Sequence, residues 1–417
     1  SGFGRTGTVD WQTTKKTTDF TAVNGEGYFV DTGSGVVTVT LPGSPSAGNI
    51  VAIKDYDGNF GSNKCTIARN GSNIRGATDN IDLEKNNAGV VCIYVDATEG
   101  WQLFFDGSDA DAQATFISAT GGSISCSGDD RIHTFTGPGT FTVSQVSDVG
   151  DNNVVSYAVV AGGGGGGTGG GGAGGYRELK SPTTPYTASP LDGYPTAANR
   201  ITVTATSFPI TVGAGGTAGA SCSPKGGNGS NSIFSDITST GGGGGATYQP
   251  GNAAQTGGSG GGGAYSGSNT AGAAGNTPPT TPSQGNNGAT GAPPGPSNRG
   301  GGGGGATAVG NAGGPSGAGG AGATSCISAS PVARAGGGGG GGFTSGNPGG
   351  AGGSGGGGAG GDGTNTSPGN LGTAGTANTG GGGGGSGYYP GAPNPGGPSL
   401  ASGAGGSGVV IIRYKRQ

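Results

Sequence analysis

One stretch constrains the fold of this chain more than any other. The segment VVAGGGGGGTGGGGAGGY, residues 159–176, leads from an apolar run directly into glycines interrupted by one threonine. Glycine has no side chain to bury and loses more backbone entropy on folding than any other residue. Glycine accounts for 110 of the 417 residues and hydrophobic residues for only 29%, against about 45–50% in ordinary globular domains. Hydrophobic burial alone therefore cannot order the glycine-rich part.

A glycine-rich segment with isolated apolar side chains is by default a disordered linker. The closing sequence GGSGVVIIRYKRQ argues against that default, because residues 409–412 and Tyr414 form a compact strand pattern that needs a partner. The natural partner is the run NVVSYAVV, which leads into the first glycines. If these two strands are neighbours in one sheet, everything between them is an insertion that leaves the sheet and returns to it.

An insertion of this composition has to be held together by its backbone, because every non-proline residue carries an N–H and a C=O that need partners. Polyproline II geometry has three residues per turn and no internal hydrogen bonds, so glycine segments can bond side by side. The sequence therefore predicts a bundle of polyglycine II helices over residues 161–175 and 241–408. The first run, residues 162–175, would span roughly 40 Å as one helix.

The first part of the chain has a different pattern. Residues 17–106 carry short runs in which apolar residues alternate, such as Val37, Val39 and Leu41, separated by clusters rich in Gly, Asn and Asp. Period-two runs at a spacing of about 8–12 residues predict an antiparallel β meander or sandwich.

The whole chain is therefore predicted to be all-β, with essentially no α-helix. The N-terminal β module is followed by a β-sandwich that carries the polyglycine II bundle as a large insertion. The predicted divisions are an N-terminal arm (1–16), the β module (17–106), a linker (107–128) and a glycine-rich domain (129–417). Within the last, strands are expected at about 131–160, 200–240 and 408–415.

Charge and apolar patterning exclude several classes of partner. A net charge of −4 with 10% charged residues provides no basic surface for nucleic acid. No apolar run approaches the ~18–20 residues of a membrane span, and the first residues lack the apolar segment of a signal peptide. The five cysteines lack metal-site spacing. They are expected to be buried free thiols, with Cys65 and Cys92 the one pair worth testing for a disulfide.

The sequence offers no constellation for catalysis, metal binding or a cofactor, so we expect neither an enzyme nor a cofactor. The single histidine, His133, lies in an alternating strand and has no evident catalytic partner. Residues 55–59, DYDGN, faintly resemble the start of a calcium loop, but Thr66 occupies the twelfth position, where such a loop has glutamate. A plain turn is the favoured interpretation.

Candidate recognition residues lie in two loops of the glycine-rich part. The segment 176–200 is the most diverse and contains Tyr176, Arg177, Tyr186 and Tyr194. The second loop contains Tyr388 and Tyr389. Exposed aromatic residues on a rigid scaffold suit receptor binding, because they offer flat apolar faces with little entropy to lose. The alternative, weighed equally for the loop 176–200, is that its tyrosines cap and seal the bundle.

Two resemblances add to these inferences. The string DWQTTKKTTDFTAVNGEGYFVDTGSGVVTVTLPGSPSAGNIVAIKDYDGNF, followed by TIARNGSNI and YVDATEGW, resembles a β module of bacteriophage tail fibres and covers most of residues 9–105. That resemblance implies a homotrimer. The ordered landmarks TFTV, VSYAVVAGGGGGG, ITVGAGG and GGSGVVIIRY resemble the glycine-rich domain of phage adhesins and extracellular bacterial proteins. That family combines a β-sandwich with polyglycine II helices.

These resemblances imply an extracellular virion protein, a tail-fibre or receptor-binding subunit. Its N-terminal part would contact other tail proteins, and its loops would bind a host surface glycan or an outer-membrane protein. The alternative is a secreted structural protein that polymerises into an extracellular filament, in which residues 1–16 dock on the next subunit. Neither function requires nucleic acid or insertion into a membrane.

Overall fold

The described part of the chain is all-β, as the sequence predicts. The computed structural model describes residues 9–105, 115–220, 223–265, 268–292, 298–314, 316–343, 346–363, 371–387 and 401–417. These residues form strands and two short 3-10 helices, Gly150–Asn153 and Ala197–Asn199. None of their helices is long and apolar enough to cross a membrane. The chain divides into two compact units, 1–116 with 147–150 and 417, and 117–146 with 151–416.

The first unit is built from two sheets. Its strands are β1 (Asp10–Lys16), β2 (Phe20–Thr21), β3 (Glu26–Val30), β4 (Val37–Thr40), β5 (Ile50–Asp55), β6 (Cys65–Ala68), β7 (Ile81–Leu83), β8 (Gly89–Asp96) and β9 (Gly100–Phe105). One sheet has the order β1-β3-β5-β8-β9, and the other has the order β2-β4-β6-β7. A core that includes Val39, Ile67 and Trp101 is buried.

The prediction of purely antiparallel pairing is wrong for this unit. Strands β1, β3 and β5 pair in parallel, as do β2, β4 and β6, and only the β5–β8–β9 and β6–β7 pairs are antiparallel. The first strands alternate between the two sheets, so each pairs with the next but one along the chain. Alternating apolar residues report which face of a strand is buried, but not the direction of its neighbour.

The sequence also led to expectations for the N-terminal arm, for Cys65 and Cys92, and for the turn at residues 55–59. Residues 10–16 of the predicted arm form β1, a strand of the sheet. Cys65 and Cys92 are buried free thiols, and burial raises the pKa of Cys92 to about 12. The Asp55 carboxylate accepts backbone N–H groups from Gly58 at 3.0 Å and Asn87 at 2.8 Å, so it stabilises a turn.

The second unit contains a β-sandwich. Its strands are β10 (Ser118–Thr120), β11 (Ser123–Ser127), β12 (Asp130–Phe135), β13 (Gly139–Gln145), β14 (Ser156–Val160), β15 (Tyr176–Leu179), β16 (Ser207–Thr211), β17 (Ser232–Phe234), β18 (Ile237–Ser239), β19 (Ala323–Ser325), β20 (Val332–Arg334) and β21 (Val409–Lys415). The two large sheets have the orders β10-β13-β16-β17-β18 and β11-β12-β21-β14-β15, while β19 pairs with β20. Strands β10 and β11 fall in the predicted linker, where small residues hide the strand pattern; residues 107–114 lie outside the described part.

The closing strand pairs with the strand that leads into the glycines, as predicted. Strand β21 is antiparallel to β14, with Ser156 opposite Arg413 and Val160 opposite Val409. The sheet is buried on both faces: Tyr157 and Ile412 belong to the sandwich core, whereas Val160 and Ile411 belong to a second core on the other side. Burial on both faces explains the continuous apolar runs in these strands.

The glycine segments outside the sheets are joined by their backbones with a period of three residues. Successive N–H groups from Gly162 to Gly167 donate to three different segments in turn, and the fourth residue returns to the first segment. The donations are Gly162 and Gly165 to 227–230, Gly163 and Gly166 to 403–406, and Gly164 and Gly167 to 169–172. Three residues per turn is the geometry expected of a polyproline II type helix, which supports the predicted bundle.

One segment, residues 169–175, illustrates how densely these rods pack. Its N–H groups donate to three neighbouring rods and its C=O groups accept from three others. The first three lie at 240–246, 301–304 and 380–383, and the others lie at 161–167, at 259–262 and at Gly338. All residues from 161 to 176 are buried. We call this array of rods the glycine lattice.

The first glycine run is not a single long helix, contrary to expectation. It folds back at Thr168, because the N–H of Gly164 donates to Gly172 at 2.8 Å and that of Gly167 donates to Gly169 at 2.9 Å. The fully buried Thr168 donates its Oγ1 hydrogen to Ala246 at 3.0 Å. The one residue of the run able to make a side-chain hydrogen bond marks the turn.

The lattice also includes a segment for which strands were predicted. Between β16 and β17, the N–H groups of Gly216 and Gly219 donate to Gly163 and Gly166. The expected strands in the 200–240 region are β16, β17 and β18, and the glycines between β16 and β17 belong to the lattice.

His133 is part of the sandwich core. Its Nδ1 lies 2.7 Å from the carbonyl oxygen of Gly121 and its Nε2 lies 3.0 Å from the Tyr414 hydroxyl. The ring stacks on Tyr414 and meets Phe141 edge-on. These contacts fit a neutral ring with Nδ1 protonated, and burial lowers the pKa of His133.

We predict that Gly165→Ala destabilises the second unit. A Cβ at Gly165 would lie 1.9 Å from the carbonyl oxygen of Thr217, so neighbouring rods would have to separate. Overpacking of this kind costs about 1–3 kcal/mol, which thermal unfolding would register as a lower Tm. Gly137→Ala is the matched control, because a Cβ there meets nothing within 4 Å. Equal losses in the two variants would contradict the backbone lattice.

We also predict that stability falls as the pH drops from 7.5 to 5.5. The folded-state pKa of His133 is lowered below the unfolded value of about 6.5, so the unfolded chain binds more protons in this window. His133 is the only histidine. Urea denaturation of His133→Gln should therefore show a weaker pH dependence than the wild type; an unchanged slope would show that His133 is not held neutral.

Candidate functional site

The glycine lattice has two ends with different side chains. One end joins β14 and β15 of the sandwich, and the other lies where the first two rods turn at Thr168. Ala246 and Gly341 lie at the level of that turn, because Ala246 accepts the N–H of Thr168 at 2.7 Å and Gly341 donates to Thr168 at 2.9 Å. We call the described turns at this level, which include 247–251, 264–265, 298–300 and 342–343, the tip.

Three aromatic side chains meet at the tip. The ring centroids of Tyr248 and Tyr265 are 6.2 Å apart, and those of Tyr265 and Phe343 are 4.4 Å apart. Tyr265 is buried with 1% of its surface exposed, whereas Tyr248 and Phe343 are partly exposed. The rings form an aromatic cluster at the end of rods whose interior has almost no side chains.

Polar groups border this aromatic cluster. The carbonyl oxygen of Asn298 accepts the N–H of Phe343 at 2.9 Å. Asn298 is 3% exposed, and its side-chain oxygen has no hydrogen-bond partner among the described residues. Arg299 is fixed by donating its Nε hydrogen to Pro348 at 2.7 Å. The tip thus combines apolar ring faces with a buried amide side chain at their border.

These tip residues were missed as recognition candidates, although the sequence contains a signal for them. Tyr248, Tyr265 and Phe343 each follow the end of a glycine run within three residues. Because a rod ends where its glycines end, such aromatics are expected at the ends of the lattice. Tyr388 and Tyr389 also follow a glycine run, but they lie outside the described residues.

The segment 176–200 lies at the other end, beside the sandwich. Tyr176 is the first residue of β15 and is 1% exposed, so its ring is buried and not exposed as a recognition residue would be. Its hydroxyl donates to Glu178 Oε2 at 2.8 Å, and the buried Glu178 also accepts Ser325 Oγ. This network links β15 to β19 and fixes the start of the segment.

The other predicted residues of this segment are also engaged in contacts within the protein. The Tyr186 ring lies 5.0 Å from the Arg413 guanidinium, and burial raises the pKa of Tyr186. Arg177 donates to Asn199 Oδ1. The Tyr194 ring packs under the Arg200 guanidinium at 4.3 Å. These contacts favour the capping alternative for this segment.

Arg413 connects the segment to the sheet. Its Nε donates to Asp130 Oδ2 at 2.6 Å, with both side chains almost fully buried. Burial raises the pKa of Asp130, although the neighbouring Arg413 acts in the opposite direction. Breaking such a buried pair typically costs about 3–5 kcal/mol. The pair therefore stabilises the position of β21, and the Tyr186 ring covers it.

We predict that Tyr186→Ala lowers the free energy of unfolding by about 1–3 kcal/mol, because it exposes the buried Arg413–Asp130 pair. Tyr186→Phe should retain most of that stability, since it keeps the ring and loses only the hydroxyl contacts with the Leu179 carbonyl oxygen, at 3.4 Å, and with Ser156. Chemical denaturation of both variants checks this. If Tyr186→Ala were as stable as the wild type, the residue would not be a cap.

A family model matches the glycine-rich part of this chain. The model for the glycine-rich domain matches residues 134–415, which is well over half of the sequence and covers most of the second unit. No curated protein matches the chain. The chain therefore belongs to the glycine-rich domain family.

Proposed function

We propose that this protein is the adhesive subunit of an extracellular fibre and that its tip binds a glycan on a host cell surface. The observation that carries this proposal is the aromatic cluster of Tyr248, Tyr265 and Phe343 at the end of the lattice away from the sandwich. An aromatic cluster on the turns of a rigid scaffold is well placed to meet a large ligand.

The chemistry of the tip favours a saccharide. Sugar rings present apolar C–H faces, which pack on aromatic rings, and hydroxyl groups, which need hydrogen-bond acceptors. Tyr248 and Phe343 offer partly exposed rings. The hydroxyl of the partly exposed Tyr248 can both donate and accept a hydrogen bond.

The lattice supplies the rigidity that such a site needs. Because its rods are joined by interlocking backbone hydrogen bonds, the turns at the tip have little freedom to lose when a ligand binds. A site that is already ordered binds more tightly, because association does not have to immobilise it.

The finer identity, a bacteriophage tail fibre, rests on the resemblance of the first unit to tail-fibre modules. In this proposal the protein is a homo-oligomer on a virion, its N-terminal part contacts other tail proteins, and no catalytic activity is involved. A host outer-membrane protein is the other receptor class, and the experiment below separates it from a glycan.

We predict that Tyr248→Ala weakens binding to purified bacterial lipopolysaccharides and capsular polysaccharides. Removing a well-packed aromatic anchor costs about 2 kcal/mol, or about thirtyfold in affinity. A panel of these saccharides, immobilised and probed with the full-length protein, measures the loss. Thermal unfolding of the same variant should show a near-native Tm, because Tyr248 is only partly buried.

The matched control is Tyr194→Ala. This tyrosine is also partly exposed and also contacts another side chain, but it belongs to the segment beside the sandwich, so saccharide binding should be unchanged. If Tyr194→Ala lost binding and Tyr248→Ala kept it, the site would lie in the segment 176–200. Binding to outer-membrane proteins but to no saccharide would refute the glycan proposal.

A further inference from the structure

We propose that one outer face of the first unit is a self-association surface that packs against a second copy of this chain. The face belongs to the sheet β1-β3-β5-β8-β9 and points away from the core shared with the other sheet. This inference rests on the proposed homo-oligomer and assigns its contact surface.

The register of the sheet defines this surface. Trp11 pairs with Gly27, Gly27 with Ala52, Ala52 with Val91, and Val91 with Phe104. Paired residues of adjacent strands lie on the same face, so one uncharged, apolar row crosses all five strands. The neighbouring rows are Phe29–Lys54–Gly89 and Ile50–Ile93–Gln102. We call these three rows the apolar face.

The apolar face is exposed within a single chain. Phe104 is 57% exposed and Trp11 is 41% exposed, at opposite edges of the sheet. Between them, Ala52 is 1% exposed, and the Trp11 indole covers Gly27, where a Cβ would lie 2.8 Å from the ring. Trp11 also contacts Phe29, with ring centroids 4.9 Å apart. The large rings of Trp11 and Phe104 therefore project from the two edge strands, and the small residues Gly27 and Ala52 lie between them.

The other sheet of the same unit provides an internal comparison. Its outward positions form the rows Thr38–Thr66–Asp82 and Thr21–Thr40–Ala68. Thr66 Oγ1 donates to Asp82 at 2.6 Å, as expected of a face in contact with water. Two sheets in one unit thus have opposite outer surfaces, one hydroxyl-rich and one apolar.

The outer face of this sheet retains exposed apolar rings. Its inner face is covered by the core, whereas on the outer face Trp11 and Phe104 are 41% and 57% exposed. A contiguous exposed apolar patch marks an interaction surface. A covering layer is therefore expected.

A second copy is the occupant that fits the chemistry and the size of this face. Lys54 is the only charge in the three rows, and its Nζ already donates to the Asn87 carbonyl oxygen, so nothing selects a charged partner. Five strands about 4.8 Å apart, each about six residues long at about 3.4 Å per residue, give the sheet an outer face of roughly 500 Å². Two copies that each contribute this face bury about 1,000 Å², where specific interfaces begin.

Mass photometry and light scattering of the full-length protein test the assignment. We expect the wild type to be an oligomer of defined mass and Phe104→Glu to be a monomer, because each copy would have to bury a carboxylate. Since Phe104 is mostly exposed, the variant should keep the Tm of the monomeric unit. Thr40→Glu places the same charge on the hydroxyl-rich face and should leave the oligomer intact.

Tryptophan fluorescence gives an independent measurement. The chain has two tryptophans; Trp101 is fully buried and Trp11 lies in the apolar face. Dilution of the wild type should shift the emission to longer wavelength as Trp11 becomes hydrated, and the emission of Phe104→Glu should be red-shifted at every concentration.

The outcomes distinguish the assignment of the apolar face as the interface from the proposal that the chain self-associates. If Phe104→Glu remained an oligomer with unshifted emission, the apolar face would not be the interface, although self-association would stand. If the wild type were monomeric at tens of micromolar, both would be overturned. Saccharide binding by a monomeric Phe104→Glu would show that the tip acts independently of assembly.

Discussion

Hydrogen bonds between backbones, rather than contacts between side chains, hold the glycine lattice of the second unit together. In a typical domain, burial of apolar side chains offsets the entropy lost by the backbone, but the rods of the glycine lattice have almost none to bury. Their N–H and C=O groups instead bond to neighbours on all sides. Such close packing requires glycine, because a Cβ at Gly165 or Gly226 would lie about 2 Å from a neighbouring carbonyl oxygen.

The sandwich fixes both ends of the glycine lattice in space. Strand β14 leads the chain into the rods and β21 brings it back beside β14, so both ends of a long insertion are fixed in one sheet. The Arg413–Asp130 pair ties β21 to β12 on its other side. Apolar burial on both faces stabilises that sheet, and the rods extend from it.

Some of these structural relationships could be predicted from the sequence and others could not, for physical reasons. Pairing of β14 with β21 was predictable, because VVII needs a partner and SYAVV is the strand beside the glycines. The parallel pairing of β1 with β3 was not, since side-chain alternation carries no information on strand direction. The turn at Thr168 was missed because polyproline II geometry has no internal hydrogen bond whose loss would mark the end of a rod.

The same physics explains where function can reside in a fold of this kind. Inside the lattice a side chain is excluded by the approach of its neighbours, so chemical variety is confined to the turns. At the sandwich end those turns are engaged in sealing the sheet, as Tyr176 and Tyr186 are. At the tip no sheet needs covering, and Tyr248 and Phe343 remain partly exposed. Changes in the tip turns can therefore alter the surface offered to a ligand while the rods that support them stay the same.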